Sequence, residues 1–367
     1  MGLKGVQVAL SLPSLARRAS PPLLGIDVSS SGVKIVELVP GEKSAMRLQR
    51  YAIEPIERGA ITDGNVEQPE QVADALNRAL RRMGSRTREA ALAMPASAVI
   101  TKRITLPAGL SEEDYEFQVE SEASQYIPFA IEEVNLDFQI LGVAASGEDE
   151  VEVLLAASRK EKVEDRVAIA EMCGLKPMVM DVDTYAARQA LDRVAGMLPN
   201  QGQGLVIAVF DIGSVVTNVS VVLNGQTVFE REQAFGGQHL TQDLVRLYGL
   251  TPEEAELKKR VGDLPESFQT DVLQPFVEQG ASDVMRALQF FFTSTPYARV
   301  DRIYLAGGSS VVPGLVEAIE DRTQVPTELL SPFQGMEIAD TVREKQLRLD
   351  APALVTACGL AMRRFDA

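Results

Sequence analysis

The 367 residues include one histidine and two cysteines, and their 36 Lys and Arg are outnumbered by 52 Asp and Glu. Each shortage excludes a class of chemistry. With only His239 present, no second imidazole can complete a zinc site, and general acid–base chemistry has little choice of histidine. His239 follows Gly236-Gly237 at an expected helix start and is read as structural. Cys173 and Cys358 stand far apart among small or apolar residues, which supports neither a disulfide framework nor a cysteine metal site; both are expected to be buried and inert. The formal net charge of −16 argues against a non-specific electrostatic grip on nucleic acid or anionic lipid. No apolar run reaches the roughly 18 residues of a membrane span, the longest being GLVIAVF from Gly204 and the cluster at 290–292. Nor does the N-terminus read as a secretory signal. Pro13 interrupts its apolar stretch, and Arg17 and Arg18 stand where a cleavage region needs small neutral residues, so a mature cytoplasmic start is expected.

What is present is the composition of a packed protein, 46% hydrophobic and 24% charged, with length for about two or three domains. After an arm at 1–22, LLGIDVSSSGVKIVELV turns on its serines as a β-hairpin, and RLQRYAIEPI adds a third strand. Residues 68–84 form an amphipathic helix with Val72, Ala75, Leu76, Ala79, Leu80 and Met83 on one face. Strand patterns from Arg88, a helix opening at Ser111 and a helix over 160–173 group residues 88–174 as a small inserted α+β subdomain. Strand KPMVMDVD and helix TYAARQALDRVAG follow, and the Gly-rich LPNQGQG at 198–204 is the expected linker. The second half restarts with LVIAVFDIGSVVTNVSVVLNGQTVFEREQ, turned at Asn224-Gly225. Both halves thus open with a strand ending near Asp, a small-residue turn and a returning strand, as a duplicated module would. The expected organisation is a first core at 23–87, the insert at 88–174 and the rest of the first core with its linker at 175–204. A second core at 205–240, a helical subdomain at 241–295, the rest of the second core at 296–340 and a return to the first domain at 341–367 complete it.

Three stretches gather groups suited to phosphate. In GIDVSSSGVKIVEL, Asp27 ends a buried strand, and Ser29, Ser30 and Ser31 turn N–H groups and hydroxyls into one space beside Lys34. Phosphate oxygens and a hydrated divalent ion suit such a turn. In VFDIGSVVTNVSVV, Asp211, Gly213, Ser214 and Thr217 repeat the pattern. In RIYLAGGSSVVPGLVEAIE, Gly307, Gly308 and Ser309 stand between an apolar strand and a helix, where glycine lets a ligand approach the backbone and a helix N-terminus favours anions. Gly236 and Gly237 make a similar turn before TQDLV. Taken singly, each also fits an ordinary polar hairpin or strand-to-helix turn. Two Asp-turn hairpins at the same place in each half point to two jaws on one polyphosphate.

With Ala255-Glu256-Leu257-Lys258-Lys259 added, this order resembles the phosphate and adenosine motifs of the actin, Hsp70 and sugar-kinase superfamily over nearly the whole chain from Leu23. Within it, LLGIDVSSSGVKIVEL, FQVESEASQYIPFAIEEVNLDF and TPEEAELKKR are most similar to the PilM family of type IV pilus assembly, which is related to the division protein FtsA. The resemblance implies an α/β actin-like ATPase fold: two similar domains around a nucleotide cleft, with a small α+β subdomain inserted. Its cofactors would be ATP and Mg2+. By the same resemblance Ser29, Ser30, Ser31 and Lys34 hold the β- and γ-phosphates, and Asp27 and Asp211 stand near the Mg2+. Gly213, Ser214 and Thr217 form a second phosphate turn, and Gly237, Gly307, Gly308 and Ser309 edge the nucleotide. Glu256 and Lys259 reach the ribose, although their spacing also fits a solvated i, i+3 charge pair.

Ser29 replaces a usual glycine and Val215 narrows the second turn, so binding is expected to survive better than hydrolysis, with slow ATPase activity at most. Asp183 is the candidate for positioning a catalytic water. The inserted subdomain implies a groove for the N-terminal cytoplasmic tail of the membrane protein PilN, with Phe117, Glu120, Tyr126, Ile127, Pro128 and Phe129 lining it. Ile127-Pro128-Phe129 equally fits a hydrophobic stop packed into the core. Through PilN the resemblance reaches PilO, PilP and the pilus motor ATPases, at the cytoplasmic side of the inner membrane, in pilus biogenesis and twitching motility. Self-association is a further expectation, and direct contact with nucleic acid or membrane is not. A small-molecule kinase would need a substrate pocket with a positioned base, for which no convincing residue set is present. An FtsA-like division protein would end in a basic amphipathic helix, whereas LVTACGLAMRRFDA reads as a closing helix of the fold.

Overall fold

The computed structural model describes residues 22–42, 46–144 and 147–366, so all but the last residue of the expected arm at 1–22 lies outside the described residues. The chain divides into two units: one takes in residues up to 189, 336–342 and 356–367, the other 190–335 and 343–355.

In the first unit the expected hairpin forms β1 (Leu24–Ser29) and β2 (Gly32–Pro40), followed by β3 (Met46–Pro55). A short hairpin, β4 (Ile61–Thr62) and β5 (Asn65–Val66), leads to α1 (Pro69–Met83). Helix α1 opens on proline, whose missing N–H costs nothing there, and closes on Gly84 at φ 64°. It buries Val72, Ala75, Leu76, Ala79 and Met83, with Leu80 packed at the margin. Then come β6 (Glu89–Met94), β7 (Ile100–Pro107), α2 (Glu112–Ala123), β8 (Val134–Ala144) and β9 (Gly147–Arg159). Helix α3 (Lys160–Met172), β10 (Lys176–Val182) and α4 (Asp183–Ala195) follow. The main sheet runs β10-β6-β1-β2-β3, with β1 antiparallel to β2 and parallel to β6.

Of the segment read as an inserted subdomain, residues 100–159 make a separate three-stranded antiparallel sheet, β7-β9-β8. Ile104 and Leu106 of β7 and Val153, Leu155 and Ala157 of β9 alternate inward, as a period of two requires, and Tyr115, Val119 and Ala123 of α2 meet them at helical spacing. The flanks differ from the expected boundaries of 88 and 174. Strand β6 lies between β1 and β10 in the main sheet, and Val163, Ile169 and Ala170 of α3 share a core with α1. The reason is compositional: EAALAM buries residues of both parities, and a strand apolar on both faces needs neighbours and cover on both.

The second unit holds β11 (Val206–Ile212), β12 (Thr217–Leu223), β13 (Gln226–Gln233), α5 (Gly237–Tyr248) and α6 (Pro252–Val261). Helix α7 (Gln274–Ser294), β14 (Arg302–Ala306), α8 (Leu315–Thr323) and β15 (Thr327–Leu329) complete its core. Its sheet order, β13-β12-β11-β14-β15, repeats β3-β2-β1-β6-β10 with the same strand directions. The repeat read from two Asp-turn hairpins is therefore a repeat of sheet topology. Asn224 and Gly225 both take positive φ, 51° and 71°, as the tight two-residue turn between β12 and β13 needs. The Gly-rich stretch 198–204 lies inside the second unit, where Asn224 Oδ1 accepts the Gly204 N–H at 2.7 Å. The change of unit comes earlier, at 189–190, within α4.

The chain then returns. Strand β16 (Glu337–Ile338) pairs in parallel with β3, α9 (Glu344–Asp350) belongs to the second unit, and all but the first residue of α10 (Val355–Met362) belongs to the first. Helix α10 makes two backbone-close contacts through glycine: a Cβ on Gly25 would overlap Ala357 O and Ala361 N, and one on Gly359 would overlap Ala186 O. Behind it, Arg363 Nε donates to Asp181 Oδ2 at 2.6 Å and Nη1 to Asp366 Oδ2 at 3.0 Å. Cys358 is buried on α10, but Cys173 is only half-buried, because it caps α3 at the edge of its core. Burial still pushes the Cys173 thiol up to about 11.

Two outcomes are expected. Gly359→Ala lowers the stability of the first unit by about 3 kcal/mol in urea unfolding, since neither backbone at the α10–α4 crossing can yield cheaply; an unchanged midpoint contradicts that close approach. Cys173 alkylation by iodoacetamide climbs tenfold per pH unit from 7 to 9, because reaction needs the thiolate, yet stays about a hundredfold slower than in the unfolded chain.

Candidate functional site

In the first unit, strand register sets Lys34 directly across from Asp27, so both side chains leave the same face of the hairpin. Lys34 Nζ donates to Asp27 Oδ2 at 2.7 Å and to Ser29 Oγ at 3.2 Å, and Ser29 Oγ donates to Gly32 O at 3.2 Å. The Asp27 and Lys34 side chains are only 14% and 15% exposed. Ser30 and Ser31 are the loop tip, half-buried and exposed respectively. Asp183, at the start of α4, accepts the N–H groups of Ala96 (3.0 Å) and Thr184 (2.7 Å) on Oδ1, so it caps the turn that follows β6.

In the second unit three strand-end turns interlock. Gly213 N–H closes the β11–β12 turn on Val216 O at 2.9 Å. Gly213 O then accepts the Gly237 N–H at 3.0 Å and the Ser309 hydroxyl at 2.9 Å. Ser214 O accepts the Gln238 N–H at 2.7 Å, and Ile212 O accepts the Ser309 N–H at 3.0 Å. There is no room for side chains at these crossings. Gly307 sits at φ 85° where a Cβ would overlap Asp211 Oδ1 and Ile212 O, and a Cβ on Gly237 would overlap Ser309 Oγ. Asp211, Gly213, Ser214, Gly237, Gly307 and Ser309 are thus brought together, with Gly308 exposed beside them.

Thr217 departs from its expected place in the phosphate turn. It is 2% exposed, and its hydroxyl donates to Phe235 O at 2.7 Å, bracing β12 against the β13–α5 turn, because the second residue of a hairpin pair here faces the core. Val215 instead stands outward, 46% exposed. Glu256 and Lys259 do form the i, i+3 ion pair, with side chains 44% and 20% exposed, and Thr241 joins it: Lys259 Nζ donates to Glu256 Oε1 at 3.0 Å and to Thr241 Oγ1 at 2.8 Å, and Thr241 Oγ1 donates in turn to Glu256 Oε1. Lys259 also reaches Gly237 O at 3.5 Å, so α6 is tied to the start of α5. Thr241 was not foreseen. Its signal was a polar residue on the buried face of α5, between Leu240 and Leu244 and one turn after Gly237. His239 is exposed and stacks on Phe235 at 5.7 Å, with Nδ1 3.4 Å from the Gly236 N–H nitrogen, in keeping with a structural role.

On α2 and in the stretch between it and β8, Phe117, Tyr126 and Phe129 are 74%, 41% and 39% exposed, and Glu120 and Pro128 are exposed with them. Ile127 leaves this set: at 5% exposed it packs with Val119 and Ala123 in the core under α2. Lys102 lies over the Tyr126 ring at 5.1 Å and Arg159 over Phe129 at 5.2 Å. Among the described residues no three His, Cys, Asp or Glu side chains cluster as a metal site. A hard cation carried by phosphate, water and one carboxylate needs no such cluster.

A family model described as type IV pilus assembly protein PilM matches residues 25–365. The chain belongs to the PilM family. A solved structure described as the PilM–PilN type IV pilus biogenesis complex is similar at TM-score 0.76 and 27% identity, covering 94% of this chain and 99% of that one. Ethanolamine utilization protein EutJ from Carboxydothermus hydrogenoformans is similar in fold, with TM-score 0.56 and 17% identity over 97% of this chain and 92% of that chain. EutJ of Escherichia coli strain K12 is 30% identical over 133 residues, 36% of this chain; the match spans only 42% of that protein's length. The repeated sheets are accordingly those of the actin-like ATPase fold, in a type IV pilus assembly protein of the PilM family.

The turn packing has a measurable consequence. Gly237→Ala destabilises the second unit by about 2 kcal/mol in urea unfolding, and the Ser309→Ala background recovers about half of that because the overlapping Oγ is gone. Strict additivity of the two substitutions would contradict the geometry.

Proposed function

We propose that this PilM-family chain binds ATP with Mg2+ through the turns described above and docks on the N-terminal cytoplasmic tail of PilN. It thereby links an inner-membrane PilN, PilO and PilP assembly to the pilus motor for pilus biogenesis and twitching motility. The observation that carries the nucleotide half is the interlocking of the Gly213, Gly237 and Gly307 turns beside Asp211. Backbone packed without side chains lets a phosphate chain or nucleoside edge approach the main chain closely, and the N-terminus of α5 adds its partial positive charge. Ser214 adds a hydroxyl, and Glu256 and Lys259 supply an acceptor and a donor for ribose hydroxyls. In the first unit Lys34 offers an ammonium with three donors, and a phosphate oxygen would share it with Asp27. Bound Mg2+ would supply charge neutralisation of the phosphates, with Asp211 as a carboxylate neighbour in the second unit.

Asp183 Oδ1 already accepts two main-chain N–H groups, which suits a residue that shapes the turn and favours holding ATP over turning it over quickly. For the partner half, support comes from the likeness to a structure described as a PilM–PilN complex and from the exposed rings of Phe117, Tyr126 and Phe129, since exposed aromatic anchors dominate peptide interfaces. No helix among the described residues is long and apolar enough to cross a membrane; in this reading the place at the inner membrane comes from the PilN partner.

Calorimetric titration tests both halves separately. Mg-ATP binds at one per chain, and Gly307→Val abolishes that binding. A synthetic PilN tail peptide binds at one per chain, and Phe117→Ser weakens it by about tenfold or more while leaving Mg-ATP binding unchanged. Heat from nucleotide with none from peptide removes the partner half; the reverse removes the nucleotide half.

A further inference from the structure

Arg166 is the one buried lysine or arginine among the described residues, 6% exposed. It stands on α3 within the buried stripe of Val163, Ile169 and Ala170, and it borders a small apolar cavity with Ile26, Val28, Leu76 and Leu92. Its Nε donates to Ala93 O at 3.0 Å and its Nη2 to Gly64 O at 2.9 Å. These acceptors are neutral carbonyls, so the charge itself reaches outward through a poorly screening interior. The carboxylates that feel it are Asp183, Asp27 and Asp165; burial nevertheless prevails and pulls the guanidinium below its ordinary value. Filling that space alone would need no cation, because methionine carries a similar stem without the desolvation cost.

The two carbonyls mark what the fork holds. Ala93 follows Leu92, the register partner of Ile26, so it stands at the level of Asp27 across β1 and β6. Gly64 is the turn between β4 and β5. Three residues beyond Ala93, the Ala96 N–H is held by Asp183. Arg166 and Asp183 therefore pin the end of β6 from two sides, next to the hairpin that carries Asp27 and Lys34.

We infer that Arg166 is a positioning residue for the phosphate-facing turn of the first unit: its buried charge, with its hydrogen bonds to Ala93 and Gly64, sets the places of Asp27 and Asp183. The inference rests on the nucleotide reading above. No motif singled Arg166 out, because a charged residue at one position of an apolar helix stripe reads as a solvated neighbour of the core.

The test uses the full chain, with Arg166→Met and Arg166→Lys, in calorimetric titrations with ATP in Mg2+ and in EDTA and with thermal unfolding in parallel. Arg166→Met keeps or raises the melting temperature but binds Mg-ATP about tenfold more weakly, and loses most of the affinity gain that Mg2+ confers. Arg166→Lys, which keeps the charge but not the planar fork that reaches both carbonyls, recovers only part of that affinity. Unchanged Mg-ATP affinity in Arg166→Met overturns the inference, as does a joint loss of stability and affinity in both variants, which marks packing alone. If the parent binds Mg-ATP and Lys259→Ala weakens it while Arg166→Met does not, this inference alone falls. If the folded parent binds no Mg-ATP, the nucleotide reading falls and takes this one with it.

Discussion

One carbonyl organises the second unit's candidate site. Gly213 O receives both the Gly237 N–H and the Ser309 hydroxyl, so the β11–β12 turn, the start of α5 and the turn after β14 are fastened at a single atom. Glycine recurs in this crowded place because a Cβ on Gly237 would overlap Ser309 Oγ, one on Gly213 would press on Val216 O, and one on Gly307, at φ 85°, would overlap Asp211 Oδ1 and Ile212 O. The surrounding contacts depend on this crowding. Thr217 braces the same turn from the core side, and the Thr241, Glu256 and Lys259 network ties α6 to the helix that the carbonyl has placed. Backbone thereby forms the crowded face of these turns, and side chains support it from behind.

The first unit reaches a comparable end by other means. Its sheet has the same strand order, yet its hairpin turn is held by charge: Lys34 lies across from Asp27 and beside Ser29, and Arg166 fastens the neighbouring strand end through two carbonyls. A cation buried with neutral acceptors is costly, so this half of the fold carries an electrostatic constraint at Arg166. The same topology thus supports two kinds of turn, one built from backbone contacts and one from ion and hydrogen-bond partners.

Much of this was legible along the chain because local rules decide it. The hairpins announced themselves through Asp-x-small-small turns and Asn224-Gly225, α1 through its stripe and its proline and glycine ends, and the repeat through the likeness of Asp27 and Asp211 in their surroundings. Family-level motifs carried the actin-like fold further than periodicity could. Residues whose role depends on distant partners were misplaced or missed. Thr217 carries a hydroxyl suited to phosphate but directs it into the core, and β6 pairs with strands far from it in sequence; of the two readings left open for Ile127, the buried one holds.

The sequence by itself determined which segments are strands and helices, where the tight turns fall, and that two related halves carry acidic, glycine- and serine-rich turns. Those features follow from backbone sterics and side-chain period, which act within a few residues. Only the tertiary structure decided that Gly237 and Ser309 meet at Gly213 O while Gly307 packs on Asp211 and Ile212, that Lys259 turns inward to Thr241, and that Arg166 is buried beside the Asp27 strand. Each of those depends on sheet order and on the close approach of backbones separated by tens of residues, and such distances have no signature in local pattern.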